Sequence, residues 1–132
     1  MLNPYEVSAL FENLQTNNAE TFFNRVADDV HWTVIGTHPL AGEYYSKELF
    51  LDATFKRLNK ILKEGVVLRV KHLYLDGNTA IVEMESLSTA ANGKPFNNKY
   101  CWVVVFNENK MITRVRAYLD SALVQQVIDE NE

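Results

Sequence analysis

Residues 97–119 read NNKYCWVVVFNENKMITRVRAYL, and this stretch determines the class of fold. Its two halves, 97–107 and 110–119, are rich in β-branched and aromatic residues, a composition typical of strands. The polar segment 107–109 between them is typical of a hairpin connection. Every position from 100 to 106 carries an apolar or aromatic side chain, so we expect this strand to be covered on both faces.

Two further strands are predicted upstream of this hairpin, at 66–76 and 79–90. A turn at 76–78 joins them, and a turn at 92–95 leads into the next strand. Four strands joined in this order form an antiparallel meander. Because the predicted strands are long, we expect the sheet to twist and bend.

Helical periodicity is confined to the rest of the chain. The predicted helices lie at 4–14, 19–26, 46–63 and 121–129, and one short strand is predicted at 31–35. Helices followed by hairpins indicate an α+β fold rather than a doubly wound parallel one. Three helices laid on the concave face of the sheet would enclose a cavity, and fifteen aromatic residues are available for a core or a cavity wall.

Length and composition exclude several classes of protein. The 132 residues are expected to form one domain, 1–132. The net charge of −4 and the lack of a basic run argue against nucleic-acid binding. No apolar run approaches the roughly 18 residues of a membrane span, and the first residues do not resemble a secretory signal. The single cysteine, Cys101, fits a reducing compartment, so the expected location is cytoplasmic.

Motifs for metals and cofactors are missing from the sequence. There is no glycine-rich nucleotide-binding motif and no nucleophile elbow. The histidines His31, His38 and His72 are scattered along the chain and have no cysteine partners. We therefore expect neither a metal site nor a cofactor.

Several short motifs, taken in order, resemble a known superfamily. They are VADDV at 26–30, AG at 41–42, NGKP at 92–95, FNENKMI at 106–112 and VRAYLD at 115–120. Their order and spacing resemble the nuclear transport factor 2-like superfamily, nearest to its SnoaL-like and ketosteroid isomerase-related branch. The resemblance implies a cone-shaped, curved antiparallel sheet wrapped around a pocket and covered by the N-terminal helices. It also implies dimerisation through the outer sheet face.

The resemblance does not extend to the catalytic groups of ketosteroid isomerase. That enzyme uses an aspartate base together with a tyrosine and a protonated aspartate as hydrogen-bond donors. The register of the shared motifs places Leu10, Val34 and Trp102 at those positions. We therefore do not expect steroid isomerisation by that mechanism.

The same register predicts which side chains line the pocket, because alternate residues of a strand share one face. The predicted ligand-binding residues are Trp32, Val34, Tyr45, Phe55, Tyr100, Trp102 and Leu119. A wall of aromatic side chains that carry a few polar atoms suits a flat organic ligand. The aromatic members would equally serve as ordinary core residues.

Three residues are candidates for acid–base chemistry. Glu85 would have a raised pKa if it pointed into an apolar pocket, but Val82 and Met84 compete with it for the inner face. Asp120 follows the last strand and would otherwise cap the closing helix. His38 lies in the loop expected to rim the pocket, and an ordinary loop histidine is the alternative reading.

These observations predict a pocket protein that performs isomerisation, cyclisation or hydration on a small hydrophobic molecule. A non-catalytic binding module on the same fold is the alternative, and a scaffold with a filled core is a third reading. We also expect a homodimer, because Cys101, Val103 and Val105 form an apolar stripe on the outer face of their strand.

Overall fold

The computed structural model describes residues 2–132, and its elements are numbered here in chain order. The helices are α1 (Pro4–Glu12), α2 (Ala19–Phe23), α3 (Lys47–Ala53), α4 (Phe55–Asn59) and α5 (Ser121–Asn131). The strands are β1 (Val26–Val34), β2 (Gly42–Tyr44), β3 (Leu68–Asp76), β4 (Thr79–Ser86), β5 (Ser88–Thr89), β6 (Pro95–Phe96), β7 (Lys99–Phe106) and β8 (Ile112–Leu119). The α+β class is confirmed. No helix in this part of the chain has the length and apolar character needed to cross a bilayer.

Three helices begin at residues whose side chains cap them. Asn3 accepts a hydrogen bond from the N–H of Glu6, and the Glu6 carboxylate accepts one from the N–H of Asn3, with Pro4 at the first helical position. This capping box satisfies backbone donors that have no partner within the helix. Ser46 caps α3 and Asp120 caps α5 through their side-chain oxygens.

Six strands form one curved, open sheet in the order β2-β1-β8-β7-β4-β3. All neighbours are antiparallel except β1 and β8, which run parallel. The expected cone with a curved antiparallel sheet is confirmed, and β1–β8 is its one parallel pair. Most of the chain separates β1 from β8, so no hairpin constrains their direction. The register shifts within three of the pairs, β1–β8, β3–β4 and β7–β8, and such irregularities bend a sheet.

The inner face of the sheet is apolar and forms the core with the helices. Side chains of alternate residues in β4, β7, β8 and β1 point toward the helices and are buried. They are Ala80, Val82, Met84, Trp102, Val104, Val115, Ala117, Trp32 and Val34. The residues between them in β4, including Ile81, Glu83 and Glu85, lie on the outer face. The competing interpretation of β4, with Val82 and Met84 inside, is therefore the correct one.

Two predicted elements are divided in the structure. The long helix expected at 46–63 breaks at Thr54, whose backbone leaves the helical region and whose hydroxyl donates to the Phe50 carbonyl at 2.7 Å. The strand expected at 79–90 ends at Ser86, and the next residues form a separate two-stranded sheet with β6. The break in the helix turns α4 so that both Phe50 and Phe55 face the sheet core.

The orientation of β4 can be tested by a matched pair of alanine substitutions. Met84→Ala should destabilise the protein by about 2–5 kcal/mol, because it removes a buried side chain from the core. Glu83→Ala on the opposite face should change the free energy of unfolding by about 0.5 kcal/mol or less. Urea unfolding of both variants measures these values. A larger loss for Glu83→Ala than for Met84→Ala would contradict this orientation.

Candidate functional site

A small apolar cavity lies between the inner face of the sheet and the helices. Its volume is about 40 Å³. Strands β1, β3, β7 and β8 form one side, and α3, α4 and the first turns of α5 form the other. The lining residues are Trp32, Val34, Leu40, Phe50, Thr54, Phe55, Leu58, Val66, Leu68, Tyr100, Trp102, Ala117, Leu119 and Val124. No carboxylate and no histidine is among them, so the wall is electrically neutral.

Stacked aromatic rings form the centre of this wall. The rings of Trp32 and Phe50 lie parallel with their centroids 3.8 Å apart, and Trp102 meets Trp32 edge to face at 5.1 Å. Phe23 adds a further contact with Trp32 at 6.0 Å. Such pairs contribute about 0.5–1.5 kcal/mol each beyond their burial, so they hold α3 firmly against the sheet.

Trp32 carries a buried donor that has no partner. The residue is fully buried, and within residues 2–132 its indole Nε1 is the only buried side-chain polar atom without a hydrogen bond. Leaving such a group unpaired costs about 1–3 kcal/mol. An unpaired donor on a residue of the cavity wall is therefore a candidate hydrogen-bond donor to a bound molecule.

Tyr100 provides a second polar group in the wall. Burial raises the pKa of its phenol, and the neighbouring polar side chains of Ser86 and Asn98 offset part of this rise. The phenol therefore stays protonated at neutral pH and can donate its O–H. Ser86 and Asn98 are themselves buried, and Asn98 bonds to the backbone of Asp120. These bonds fix the residue that precedes β7 against the start of α5.

Most of the predicted ligand-binding residues line the cavity. Those that do are Trp32, Val34, Phe55, Tyr100, Trp102 and Leu119. The seventh, Tyr45, does not, because it follows the edge strand β2 and points outward. It is 64% exposed, and its ring stacks on His31 with a centroid distance of 4.6 Å.

Glu85 lies outside the cavity, and the expectation that it faces inward is wrong. Its carboxylate is held on the outer face by ion pairs with Arg69, with Lys99 at 2.8 Å and with Lys71 at 3.6 Å. Hydrogen bonds from Lys99 and Arg69 lower its pKa to about 2, the opposite of the rise that an apolar pocket would cause. A carboxylate this acidic is a poor proton shuttle near neutral pH.

The other two acid–base candidates have structural roles. Asp120 is exposed and caps α5, where its carboxylate accepts a hydrogen bond from the N–H of Leu123 at 3.2 Å. His38 is buried rather than placed at an open rim. Its Nε2 bonds to the carbonyl of Ile35, and its Nδ1 accepts from the N–H of Leu40, each at 3.2 Å. It therefore shapes the loop that delivers Leu40 to the cavity.

Several wall residues were not predicted. Phe50 and Leu58 follow the helical periodicity of 46–63, which predicts their helix but not their place in the wall. Ser86 and Asn98 are buried near Tyr100 without lining the cavity. The signals that could have found them are the correct orientation of β4 and the adjacent asparagines that precede β7. For metals, residues 2–132 contain no cluster of three or more potential His, Cys, Asp or Glu ligands.

The ion pairs of Glu85 predict how stability depends on pH. The folded pKa of about 2 lies below the ordinary value of 4.5, so the stabilisation is complete above pH 4.5 and is lost as the pH falls toward 2. Glu85→Gln should therefore be less stable than the wild type at pH 7, and the two should converge near pH 2. Urea unfolding across this range tests the point. A difference that stays constant with pH would contradict it.

Comparison with known proteins identifies the family. A sequence model of the SnoaL-like domain matches residues 7–115. The chain is 30% identical over 129 residues to the dimerizing cyclase phiC of a fungal species, covering 96% of this chain and 57% of that protein. It is 27% identical over 123 residues to the dimerizing cyclase tstC of Talaromyces stipitatus, covering 91% and 55%. The chain thus spans little more than half the length of these curated relatives.

A solved structure agrees with this assignment at the level of the fold. An NTF2-like protein from Burkholderia thailandensis superposes with a TM-score of 0.80 at 23% identity, covering 97% of this chain and 98% of that one. Because the family model spans most of the chain and the fold agrees, the chain belongs to the SnoaL-like domain family.

Proposed function

We propose that this protein binds a small hydrophobic molecule in the central cavity and acts on it as a cofactor-independent isomerase or cyclase. The observation that carries the proposal is the apolar, aromatic-walled cavity enclosed between the sheet and the helices. The relatives named dimerizing cyclases support ring-forming chemistry. Small-molecule cyclisation needs a surface that folds a flexible substrate, and a rigid apolar wall can do this through proximity and orientation.

The side chains of the wall favour hydrogen-bond donation to a substrate over removal of a proton from it. No carboxylate or imidazole lines the cavity in residues 2–132, whereas Tyr100 does, and its phenol is protonated. A neutral donor in an apolar site can stabilise charge that develops on a substrate oxygen, or pass it a proton. We therefore assign Tyr100 the role of hydrogen-bond donor or general acid in place of Glu85.

A ring-sized ligand can enter the cavity only if its wall moves. A volume of about 40 Å³ is far below the about 150 Å³ of an apolar cavity that holds benzene. A surface groove of about 310 Å³ lies on the other side of Phe55, between α2 and α4. Phe55 lines both spaces and packs edge to face on Phe23 with centroids 5.1 Å apart. Rotation of the Phe55 ring would join them and admit a ring-sized ligand.

A binding experiment tests the cavity as the ligand site. The probes are 2-indanone and 1-tetralone, with the hydrocarbons indane and tetralin. A probe at ten times its Kd should stabilise the protein by about 1.4 kcal/mol, which corresponds to a rise in Tm of about 5 °C. Ala117→Val adds two methyl groups to the wall and should abolish this rise, whereas Glu85→Gln on the outer face should keep it. If no probe raises the Tm of the wild type, the cavity is not a ligand site.

The second candidate function is a non-catalytic binding module. It is favoured by the neutral wall, which lacks any side chain that ionises near neutral pH. The two functions differ in the effect of Tyr100→Phe on a compound that the wild type converts. A catalytic donor should show a loss of about 100-fold or more in kcat, while Glu85→Gln stays near wild type. Binding without conversion across such compounds would favour the module.

We further propose that the outer sheet face pairs with a second copy of the chain. Val103 and Val105 in β7, with Ile81 in β4, are only partly buried there, and Val103 lies directly opposite Ile81. Tyr118 in β8 extends this apolar stripe and is 43% exposed. A self-complementary apolar patch on a sheet is suited to a twofold interface.

Val103→Asp tests this interface, because it places a charge at the centre of the stripe. Sedimentation at micromolar concentration should show a dimer for the wild type and a monomer for the variant. The matched control is Ala122→Asp, which adds the same charge at an exposed position in the first turn of α5 and should leave the dimer intact. A monomeric wild type would contradict the proposal.

A further inference from the structure

Trp32 lines the cavity, and its buried indole N–H has no acceptor within residues 2–132. The residue is fully buried. Buried indoles ordinarily find a hydrogen-bond partner. Every other buried side-chain polar atom in that part of the chain has one, including those of His38, Thr54 and Ser86.

The indole cannot easily turn to find a partner in the protein. Its ring is stacked on Phe50 at 3.8 Å and is met edge-on by Trp102 at 5.1 Å. Its backbone is fixed on both sides, because Trp32 pairs with Tyr44 in β2 and with Val115 in β8. The donor is therefore held in place before any ligand arrives, which lowers the cost of using it in binding.

The chemistry of the donor defines the ligand that would satisfy it. An indole N–H only donates, so its partner must be an acceptor such as a carbonyl, enol or ether oxygen. A hydrocarbon would leave the N–H unpaired. An ammonium group would find no counter-charge, because no carboxylate lines the cavity.

We infer that Trp32 is a specificity-determining residue that donates its indole N–H to an oxygen of the bound molecule, and that the ligands are neutral hydrophobic carbonyl compounds or similar oxygen acceptors. The inference rests on the proposed function, because it requires the cavity to be the ligand site. It adds the substrate class and a residue to that function. It also explains why the protein keeps the unpaired indole N–H of Trp32, which lowers the stability of the fold.

The test compares 2-indanone with indane, which share a ring system and differ in the carbonyl oxygen. Protein labelled with ¹⁵N gives one indole resonance for each tryptophan, and Trp102→Phe identifies the signal of Trp32. Titration with 2-indanone should move the Trp32 N–H proton downfield with saturation, as a new hydrogen bond does. Indane should bind without this downfield shift. Methyl signals of Ala117 and Leu119 report binding of either probe independently of the indole.

Affinities provide the second measurement. The wild type should prefer 2-indanone over indane after correction for their different transfer from water, and Trp32→Phe should reduce this preference by about 2- to 10-fold. Leu58→Ala also alters the volume of the wall but keeps the N–H and the rings that hold it, so it should change both affinities and leave their ratio intact.

The outcomes separate the inference from the proposed function. If both probes move the methyl signals but the Trp32 proton does not respond to the ketone, or if Trp32→Phe leaves the preference unchanged, the role of Trp32 is wrong and the ligand site stands. If neither probe moves the methyl signals, the cavity is not a ligand site and both proposals fail. If the Trp32→Phe variant does not fold, the titration of the wild type alone tests the role of Trp32.

Discussion

The stack of Trp32 on Phe50, closed by the edge of Trp102, is the contact on which the cavity depends. It joins α3 to β1 and β7 and so fixes the distance between the helical layer and the sheet. Large rigid rings cannot fill curved space completely, and a concave sheet adds to the mismatch. A small cavity beside the stack is the geometric result. The wall of this cavity is apolar, and its polar side chains are Thr54, whose hydroxyl is bonded to the Phe50 carbonyl, and the aromatic residues Trp32 and Tyr100.

The sequence was most informative where strand alternation could be combined with the register of the motifs shared with the superfamily. Both faces of β7 are apolar, so alternation groups Tyr100 with Trp102 without showing which face is inside, and the resemblance supplied that choice. Six of the seven ligand-binding residues predicted in this way line the cavity. Tyr45 failed because it lies just beyond β2, where no alternating run defined an inner face.

The orientation of β4 could not be obtained in the same way. Its residues alternate between two plausible faces, with Ile81 on one and Val82 and Met84 on the other. The side chains that decide which face is outside are charged, and they lie on the neighbouring strands. Arg69 in β3 and Lys99 in β7 flank Glu85 directly in the register of the sheet, and they can satisfy its charge only on the outer face. Local periodicity cannot predict such cross-strand partners, because they are distant in the sequence. It cannot predict the parallel pairing of β1 with β8 for the same reason.

The distribution of charge separates the two faces of the sheet by function. Carboxylates such as Glu83 and Glu85 are paired with basic groups on the outer face. Water there screens the charge that these partners do not neutralise. The inner face retains only neutral donors. In the low dielectric of such a site, a hydrogen bond from a neutral donor is strengthened without the large desolvation penalty that a buried carboxylate would incur. At the ligand site that we propose, discrimination among uncharged ligands would depend on the position of their oxygen atoms. The donors of this wall stay protonated across the physiological range, because burial raises the pKa of Tyr100 and an indole N–H does not titrate.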